Sequence, residues 1–349
     1  MKKYLLGIGA IAVLGLGTAG AQAANNSAPV TALVVTASNG TNNQILVYDS
    51  NGRLMRTIAT QGQGGVGGNA GGISYRNGRL AVVNFGSGTV SIFAPVAGPA
   101  LLALTQVIPA GASPVSVAFS DDHLYILGTT EVESHGFEPG GIAADADGTA
   151  ALVRADGSAA QVGVLQGQLV ISEKNNAIET VKLDARGAIA GTAQLVANIP
   201  SNVNAPFGLA TRGNDAYVTI AHADEIGLVR DSDVLAVTGS GTQHAPCWVA
   251  LDGPFLFSAN SPSHSASRYA VYGQKIVQDA AVVAQFNGNP TDIAAHAGLA
   301  AVIDGNGTVS HVSVFAVDED GNFTLRGAAT VNDAAVNGVA IVPAGDDGN

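Results

Sequence analysis

Two short stretches of the sequence combine residue types that can perform acid–base chemistry. Glu173 is followed by Lys174, so a carboxylate able to act as a general base stands beside an ammonium group that can stabilise negative charge. His222 and Asp224 have the i, i+2 spacing that points two side chains to one side of an extended segment. If the protein is an enzyme, we expect Glu173 and His222 to be its catalytic residues. Both pairs would also suit solvated surface loops, and that alternative stays open.

Other polar residues are candidates for contacts with a ligand. His135 lies in the longest predicted loop, where a lid over a site is the functional interpretation and a mobile insertion is the alternative. Cys247 precedes Trp248 at the start of a predicted strand, where the thiol could face a ligand or be an inert buried group. The predicted ligand-binding residues are Lys174, His135, Asp224, His244, Asn204, Gln161, Cys247 and Asp304.

Metal and nucleophile motifs are missing from the sequence. It contains neither the His-Glu-x-x-His pattern of zinc proteases nor the Gly-x-Ser-x-Gly pattern of serine hydrolases. We therefore predict no zinc site and no cofactor. Oxygen-bearing side chains that Ca²⁺ prefers do recur near strand ends, so a calcium ion is the alternative, although the same residue types satisfy turns. These side chains are Asn69, Asn84, Asn204, Asp292, Asp304 and Asn337.

The elements that must position these residues recur along the chain. Each copy consists of a small or proline residue, an apolar strand, a tight turn, a second apolar strand, a polar loop and a third strand. Successive copies begin near residues 72, 114, 161, 206, 246 and 290, which are 40 to 47 residues apart. This spacing is typical of the four-stranded blades of β-propellers, and no helical periodicity of comparable length interrupts it. The sequence therefore predicts an all-β propeller.

The two ends of the chain predict how the ring closes. The N-terminal part offers three strands, near residues 32–36, 44–48 and 54–58, without a preceding inner strand. The C-terminal part offers a spare strand at residues 337–342, which would complete that blade and remove two exposed sheet edges. We therefore predict seven blades in a single domain over residues 24–349. A ring of six or eight blades is the alternative, with residues 131–158 as the place where a blade could be miscounted.

The N-terminus has the form of a secretory signal peptide. Met1-Lys2-Lys3 precedes a short apolar run, and Ala21-Gln22-Ala23 has the small residues of a cleavage site. We predict that residues 1–23 are removed and that the protein is periplasmic or secreted. The chain has 15 Lys and Arg against 27 Asp and Glu, and this net charge of −12 disfavours nucleic acid and anionic membranes as partners. We expect a monomer.

Four segments carry a family resemblance, and their order and spacing extend over nearly the whole chain after the signal. They resemble the exported lactonase-like β-propellers, which are relatives of bacterial 6-phosphogluconolactonase and fungal carboxymuconate cyclase. The segments are Ala160-Gln161-Val162-Gly163 with Val170-Ile171-Ser172-Glu173-Lys174, Pro206-Phe207-Gly208-Leu209-Ala210, Ala245-Pro246-Cys247-Trp248-Val249-Ala250 and Pro290-Thr291-Asp292-Ile293-Ala294.

The resemblance implies that a small molecule binds at the mouth of the central channel, on the face that carries the polar loops. The most specific reaction it implies is hydrolysis of a lactone or another cyclic ester. Enzymes of the wider family carry histidine and arginine on the inner strands, at the positions of Gln161 and Phe207 in this chain. The alternative is therefore a non-catalytic propeller that recognises a small molecule, a glycan or a protein.

These two hypotheses predict different arrangements of the same residues. Convergence of Glu173, His222 and His135 in one pocket would favour the enzyme. A channel plugged by Phe207 and Trp248 would favour the binding protein.

Overall fold

A computed structural model of the chain describes residues 32–98, 101–197, 205–333 and 335–343. The predicted signal peptide and the candidate ligand residue Asn204 lie outside the described residues. The described chain folds into seven antiparallel sheets, and the inner strands of the sheets contact one another in a closed cycle. The predicted seven-bladed β-propeller is confirmed. No helix in the described part is long and apolar enough to span a lipid bilayer.

Each blade is one sheet, whose strands follow one another from the channel outward and are numbered in chain order. Blade 1 has β29 (Asn337–Pro343), β1 (Ala32–Ala37), β2 (Gln44–Tyr48) and β3 (Leu54–Ala59). Blade 2 has β4 (Ile73–Arg76), β5 (Arg79–Asn84), β6 (Thr89–Pro95) and β7 (Leu102–Pro109). Blade 3 has β8 (Pro114–Phe119), β9 (His123–Gly128) and β10 (Glu131–Glu138), with β11 (Gly141–Ile142) and β12 (Gly148–Ala151) paired to β10.

The remaining four blades are regular. Blade 4 has β13 (Ala159–Leu165), β14 (Gln168–Glu173), β15 (Ala177–Lys182) and β16 (Gln194–Leu195). Blade 5 has β17 (Pro206–Arg212), β18 (Asp215–Ile220), β19 (Glu225–Arg230) and β20 (Asp233–Gly239). Blade 6 has β21 (Pro246–Asp252), β22 (Phe255–Asn260), β23 (Ser265–Tyr272) and β24 (Lys275–Gln285). Blade 7 has β25 (Asn289–His296), β26 (Leu299–Gly305), β27 (Ser310–Val317) and β28 (Phe323–Val331).

Burial on both faces explains why the second strands of the blades have continuous apolar sequences. The second strands are covered by a neighbouring blade on each face, so consecutive residues such as Leu80, Ala81 and Val82 are all fully buried. The outer strand β20 instead alternates exposed and half-buried residues. The apolar core consequently lies between adjacent blades, as where Leu228 of blade 5 packs with Leu256 of blade 6.

Tight turns join the first and second strands of blades 2 to 7. In blade 2 the turn is Asn77-Gly78, with φ angles of 46° and 74°. This left-handed pair suits an asparagine-glycine hairpin. We call the side of the ring that carries these turns the turn face. The opposite side, the loop face, carries the connections between second and third strands and those between blades.

The C-terminal strand closes the ring as predicted. β29 pairs with β1 in antiparallel register, with Val34 opposite Ile341. The hydroxyl of Thr36 donates to the carbonyl of Gly338 at 2.6 Å, and Asp292 of blade 7 accepts from the backbone N–H of Val339 at 3.1 Å. The first blade is therefore built from residues of both ends of the chain and joined to the last blade.

Candidate functional site

Glu173 ends β14 on the loop face and is fully buried. One carboxylate oxygen, Oε2, accepts a hydrogen bond from Ser158 Oγ at 2.9 Å, whereas Oε1 is buried without a partner. Burial raises the pKa of Glu173 to about 8, and the nearby carboxylates Glu179 and Asp156 add to the rise. The hydrogen bond from Ser158 and the charge of Lys174 oppose it. At neutral pH this carboxyl is therefore mostly protonated, and its chemistry is that of a proton donor.

Lys174 lies beside Glu173 at the edge of a shallow surface depression. Its Nζ donates to the carbonyl oxygen of Gly68 at 2.6 Å, and burial lowers its pKa. The depression encloses about 380 Å³, which is enough for a small molecule. It is lined by Asp156, Gly157, Ser158, Lys174 and Asn175. Lys174 thus lines the depression directly, whereas the buried Glu173 is linked to it through its hydrogen bond with Ser158.

The predicted His222–Asp224 pair is arranged differently in the structure. His222 is exposed within the 3-10 turn Ala221–Ala223, and Asp224 follows this turn with a left-handed φ of 57°. Asp224 accepts instead from Nδ1 of His244 at 2.9 Å and from the backbone N–H of Ala245 at 2.7 Å. The imidazole that a carboxylate orients is therefore that of His244, at an exposed position on the loop face.

His135 does not belong to a loop. It lies within β10, is almost fully buried, and its Nδ1 is 3.0 Å from the carbonyl oxygen of Ala143. The expectation of a lid at this position is therefore wrong, because the polar sequence around His135 is the third strand of blade 3. Its Nε2 is 3.5 Å from the carboxylate of Glu133, so its charged partner belongs to the same strand and is neither Glu173 nor a neighbour of His222.

Two further candidate ligand residues, Asp304 and Cys247, are buried or half-buried in the structure. Asp304 is buried and accepts from the backbone N–H of Gly288 at 2.9 Å, and its Oδ2 is 3.1 Å from Nδ1 of His311. Cys247 is half-buried, and burial raises the pKa of its thiol to about 12, so it is not a thiolate nucleophile. Within the described residues, no group of three or more His, Cys, Asp or Glu side chains is placed to hold a metal ion.

A glycine-rich segment crosses the mouth of the channel on the loop face. This crossing loop, residues 60–72, leaves blade 1 and reaches Lys174 of blade 4 through Gly68. Within it, the backbone carbonyl oxygen of the buried Asn69 accepts from the indole Nε1 of Trp248 in blade 6 at 3.1 Å. The Asn69 side chain also donates to the carbonyl of Val115 in blade 3 at 2.5 Å. Contacts to blades on several sides of the ring hold the loop across the mouth.

Aromatic side chains fill the space beneath the crossing loop. The rings of Phe207 and Trp248 meet edge to face with centroids 5.2 Å apart, and Phe207 is buried against Ala70 and Ala160. Gln161, one of the two positions where the family resemblance implies histidine or arginine, accepts from the backbone N–H of Leu209 at 2.7 Å. The described residues thus plug the channel at the loop face, which is the arrangement expected of the binding hypothesis.

A cavity of about 590 Å³ lies instead at the turn face. Its walls are the inner strands of blades 2, 3, 4 and 5, and it reaches the turns that follow those strands. The lining is mixed, with apolar walls and several hydrogen-bonding side chains. The hydrogen-bonding side chains are Ser74, Tyr75, Arg76, Ser120, Asp121, Gln161, Gln166 and Thr211.

Sequence reasoning missed this cavity because it expected the ligand to bind at the loop face. Among the predicted site residues that the structure describes, Gln161 alone lines the cavity. A signal was available in the inner strand of blade 2, where Ser74 and Arg76 alternate with the core residue Ile73 and with Tyr75, which packs against the core. Polar residues at alternate positions of an inner strand are unusual in a chain whose strands are otherwise so apolar.

Comparisons with known proteins support the fold. No protein-family model matches the sequence, and no curated protein resembles it significantly. Among solved structures, a functionally unknown protein from Desulfotomaculum acetoxidans superposes with a TM-score of 0.67 at 13% identity, over 90% of this chain and 99% of that one. The periplasmic gluconolactonase of Pseudomonas aeruginosa superposes with a TM-score of 0.60 at 16% identity, over 89% and 98%. A Bacteroides fragilis protein with a proposed 6-phosphogluconolactonase activity gives 0.61 at 14% identity, over 90% and 99%. The chain therefore has the seven-bladed fold of the lactonase-like propellers.

Proposed function

We propose that the protein binds a small polar molecule in the channel cavity at the turn face, without chemical turnover. The observation that carries this proposal is a cavity of about 590 Å³ at one end of a channel whose other end is plugged. Its volume lies in the range of small-molecule sites, and its lining combines apolar walls with a few hydrogen-bonding side chains. A closed ring of inner strands also gives the cavity a rigid frame, which lowers the entropic cost of binding.

The charged groups at this site do not form an acid–base pair. Arg76 and Asp121 are the charged residues in the described lining of the cavity, and they are paired with each other at 2.7 Å. The hydrogen bonds from Arg76 and its charge lower the pKa of Asp121, which keeps that carboxylate ionised and weakly basic. Recognition without turnover is therefore the chemistry that this cavity supports.

The proposal is tested by titrating the purified protein with glucose, sorbitol, gluconate and glucono-δ-lactone, with calorimetry and saturation-transfer NMR as readouts. We expect at least one of these polyols to bind, and Gln166→Trp at the exposed rim of the cavity to weaken that binding about tenfold. Thr57→Trp, on the exposed outer strand β3, is the matched control and leaves binding unchanged. Absence of binding across the set, or equal weakening by both substitutions, would overturn the proposal and leave a glycan or protein partner as the next candidate.

Lactone hydrolysis is the second candidate, and Glu173 is the observation that favours it. A protonated carboxyl with one unpartnered oxygen, under a depression edged by Lys174, could donate a proton to the leaving oxygen of a cyclic ester. Two neighbours named for lactonase activities share the fold. Because the acid form is the active one, activity would be present below pH 8 and lost above it.

Hydrolysis of a panel of γ- and δ-lactones, followed by proton release, tests this second candidate. Turnover that Glu173→Gln abolishes, and that falls above pH 8, would establish the enzyme. Turnover unaffected by Glu173→Gln would assign the reaction to another site, and no turnover at all would leave the binding function.

We also infer that the protein is exported and monomeric. The signal-like residues 1–23 and a periplasmic neighbour support export. Fractionation of an expressing bacterium, with N-terminal sequencing of the product, tests for cleavage near residue 23. Light scattering of the purified protein tests its mass in solution.

A further inference from the structure

A second cavity adjoins the first at the turn face. It encloses about 470 Å³ between the inner strands of blades 2, 7 and 1. Residues 73–76 of β4 line both cavities, one on each side of the strand. A ligand in the channel would therefore meet β4 whichever cavity it entered.

The second cavity is lined by a cationic side chain, although the protein as a whole is acidic. The chain has 27 acidic against 15 basic residues, yet the formally charged side chain among the described residues that line this cavity is Arg76, and no carboxylate lines it. A pocket lined by charge of one sign concentrates ions of the opposite sign. The lining of the second cavity thus favours an anion and disfavours a cation.

Arg76 has hydrogen-bonding capacity beyond its ion pair. Its Nε and Nη2 both donate to the same oxygen of Asp121, at 3.1 and 2.7 Å. A guanidinium carries five N–H donors in a planar fork, so three remain for another acceptor. The side chains of Arg76 and Asp121 are 47% and 79% exposed, and an ion pair so well solvated contributes little free energy. Exchanging or sharing this partner with a bound anion therefore costs little.

We propose that Arg76 anchors the anionic group, a carboxylate or a phosphate, of the small molecule bound in the channel. Planar, two-point contact with such groups is the interaction for which arginine is best suited. The imidazole of His296, at the exposed end of β25, supplies a further hydrogen-bond donor on the other wall of the same cavity. This inference rests on the proposed channel-binding function and adds the charge class of its ligand.

The test compares gluconate with sorbitol, which share a six-carbon polyol chain and differ in the carboxylate. Calorimetry at low and high sodium chloride is carried out on the wild type, on Arg76→Gln, and on Arg79→Gln as the matched control. Arg79 is three residues along the chain, but its guanidinium lies over the ring of Phe137, 4.4 Å from the centroid, and does not line either cavity.

We expect gluconate to bind at least tenfold more tightly than sorbitol, since one charged hydrogen bond contributes about that factor. Arg76→Gln should remove this preference, Arg79→Gln should keep it, and salt should weaken gluconate alone. Inorganic phosphate should compete with gluconate, because both acceptors suit the same fork. Equal binding of sorbitol and gluconate, unaffected by Arg76→Gln, would overturn the anion anchor while leaving channel binding intact. Binding of neither polyol would overturn both.

Discussion

Blades 2 and 6 end their second strands on an asparagine, whereas blade 4 ends the equivalent strand on Glu173. The strand register places Asn260 opposite Pro246 and Glu173 opposite Ala159, both at the start of an inner strand. Each asparagine is fully buried and donates through Nδ2 to two hydroxyls on the third strand of its own blade. Asn84 donates to the hydroxyls of Thr89 and Ser91. Asn260 donates to the hydroxyls of Ser265 and Ser267, which have the same spacing of five and seven residues from the asparagine.

Blade 4 lacks the partners that would satisfy its polar residue. The strand register places Ala177 and Glu179 at the two positions that carry hydroxyls in blades 2 and 6. Ala177 has no polar side chain, and the carboxylate of Glu179 accepts from the backbone N–H groups of Val153 and Arg154. One oxygen of Glu173 is therefore left without a hydrogen bond. The same backbone position holds a blade together in two repeats and carries a buried carboxyl with one unpartnered oxygen in a third. Repetition fixes where a polar group stands, but the neighbouring side chains decide whether it stabilises the fold.

The largest predicted effect concerns the pH dependence of stability. The folded-state pKa of Glu173, about 8, lies above its usual value of 4.5, so its protonated form is favoured by the fold. The stability it contributes is complete below pH 4.5 and is lost as the pH rises through 8, by on the order of 5 kcal/mol in the free energy of unfolding. Glu173→Gln should remove this loss, as measured by urea denaturation at pH 5 and pH 9.

Some pH dependence should remain in that variant. The pKa of the buried Asp292 is raised by burial to about 7, which has the same sign and acts over a lower range of pH. If wild type and Glu173→Gln lose the same stability between pH 5 and pH 9, the fold does not raise the pKa of Glu173, and the contrast between the blades fails.

The second effect is the loss of a buried asparagine that links two strands. Asn260→Ala removes the acceptor of Ser258 Oγ, at 2.8 Å, and the donor to Ser267, at 2.7 Å, leaving buried hydroxyls short of partners. We expect the free energy of unfolding to fall by about 3 kcal/mol at any pH between 5 and 9. Asn42→Ala, at an exposed position of blade 1, is the control and should change stability by less than about 0.5 kcal/mol. Equal values for the two variants would show that Asn260 does not hold the blade.

The smallest predicted effect is that of the Lys174 charge on the pKa of Glu173. Lys174→Met keeps most of the side chain's apolar stem and removes the ammonium group, whose charge opposes the raised pKa of Glu173. The stability loss caused by Glu173 should then begin at the same pH and continue to a higher one, by a fraction of a pH unit. Loss of the hydrogen bond to Gly68 should cost about 1 kcal/mol at all pH values. A shift of the transition to lower pH would contradict the assigned role of the ammonium group.

Much of the architecture follows from local pattern. Inner strands predicted to start near residues 72, 114, 161, 206, 246 and 290 begin at 73, 114, 159, 206, 246 and 289. The closing strand was equally predictable, because an unpaired set of strands at one end and a spare one at the other require each other. Apolar runs and asparagine-glycine turns depend on a few consecutive residues, so the strands and turns can be predicted without knowledge of how the blades are arranged.

The site was less predictable. His244, rather than the sequence neighbour His222, contacts Asp224, because the loop that carries it runs from the outer strand of blade 5 to the inner strand of blade 6 on the same face as Asp224. The polar sequence around His135 predicted a loop, yet pairing with Leu124 of β9 holds this residue in the sheet. Short sequence spacing is a poor guide to contact wherever neighbouring blades present their loops to one another.

The sequence by itself determined the number of blades, the position of each inner strand and the order in which the ring closes, since these depend on hydrophobic periodicity and turn residues within each repeat. Only the tertiary structure decided which end of the channel is open. Asn69 and Trp248 are 179 residues apart and meet because the ring brings blades 1 and 6 across one mouth. Such contacts depend on the radius of the closed ring and on side-chain packing at its centre. Neither property can be predicted from a local sequence pattern.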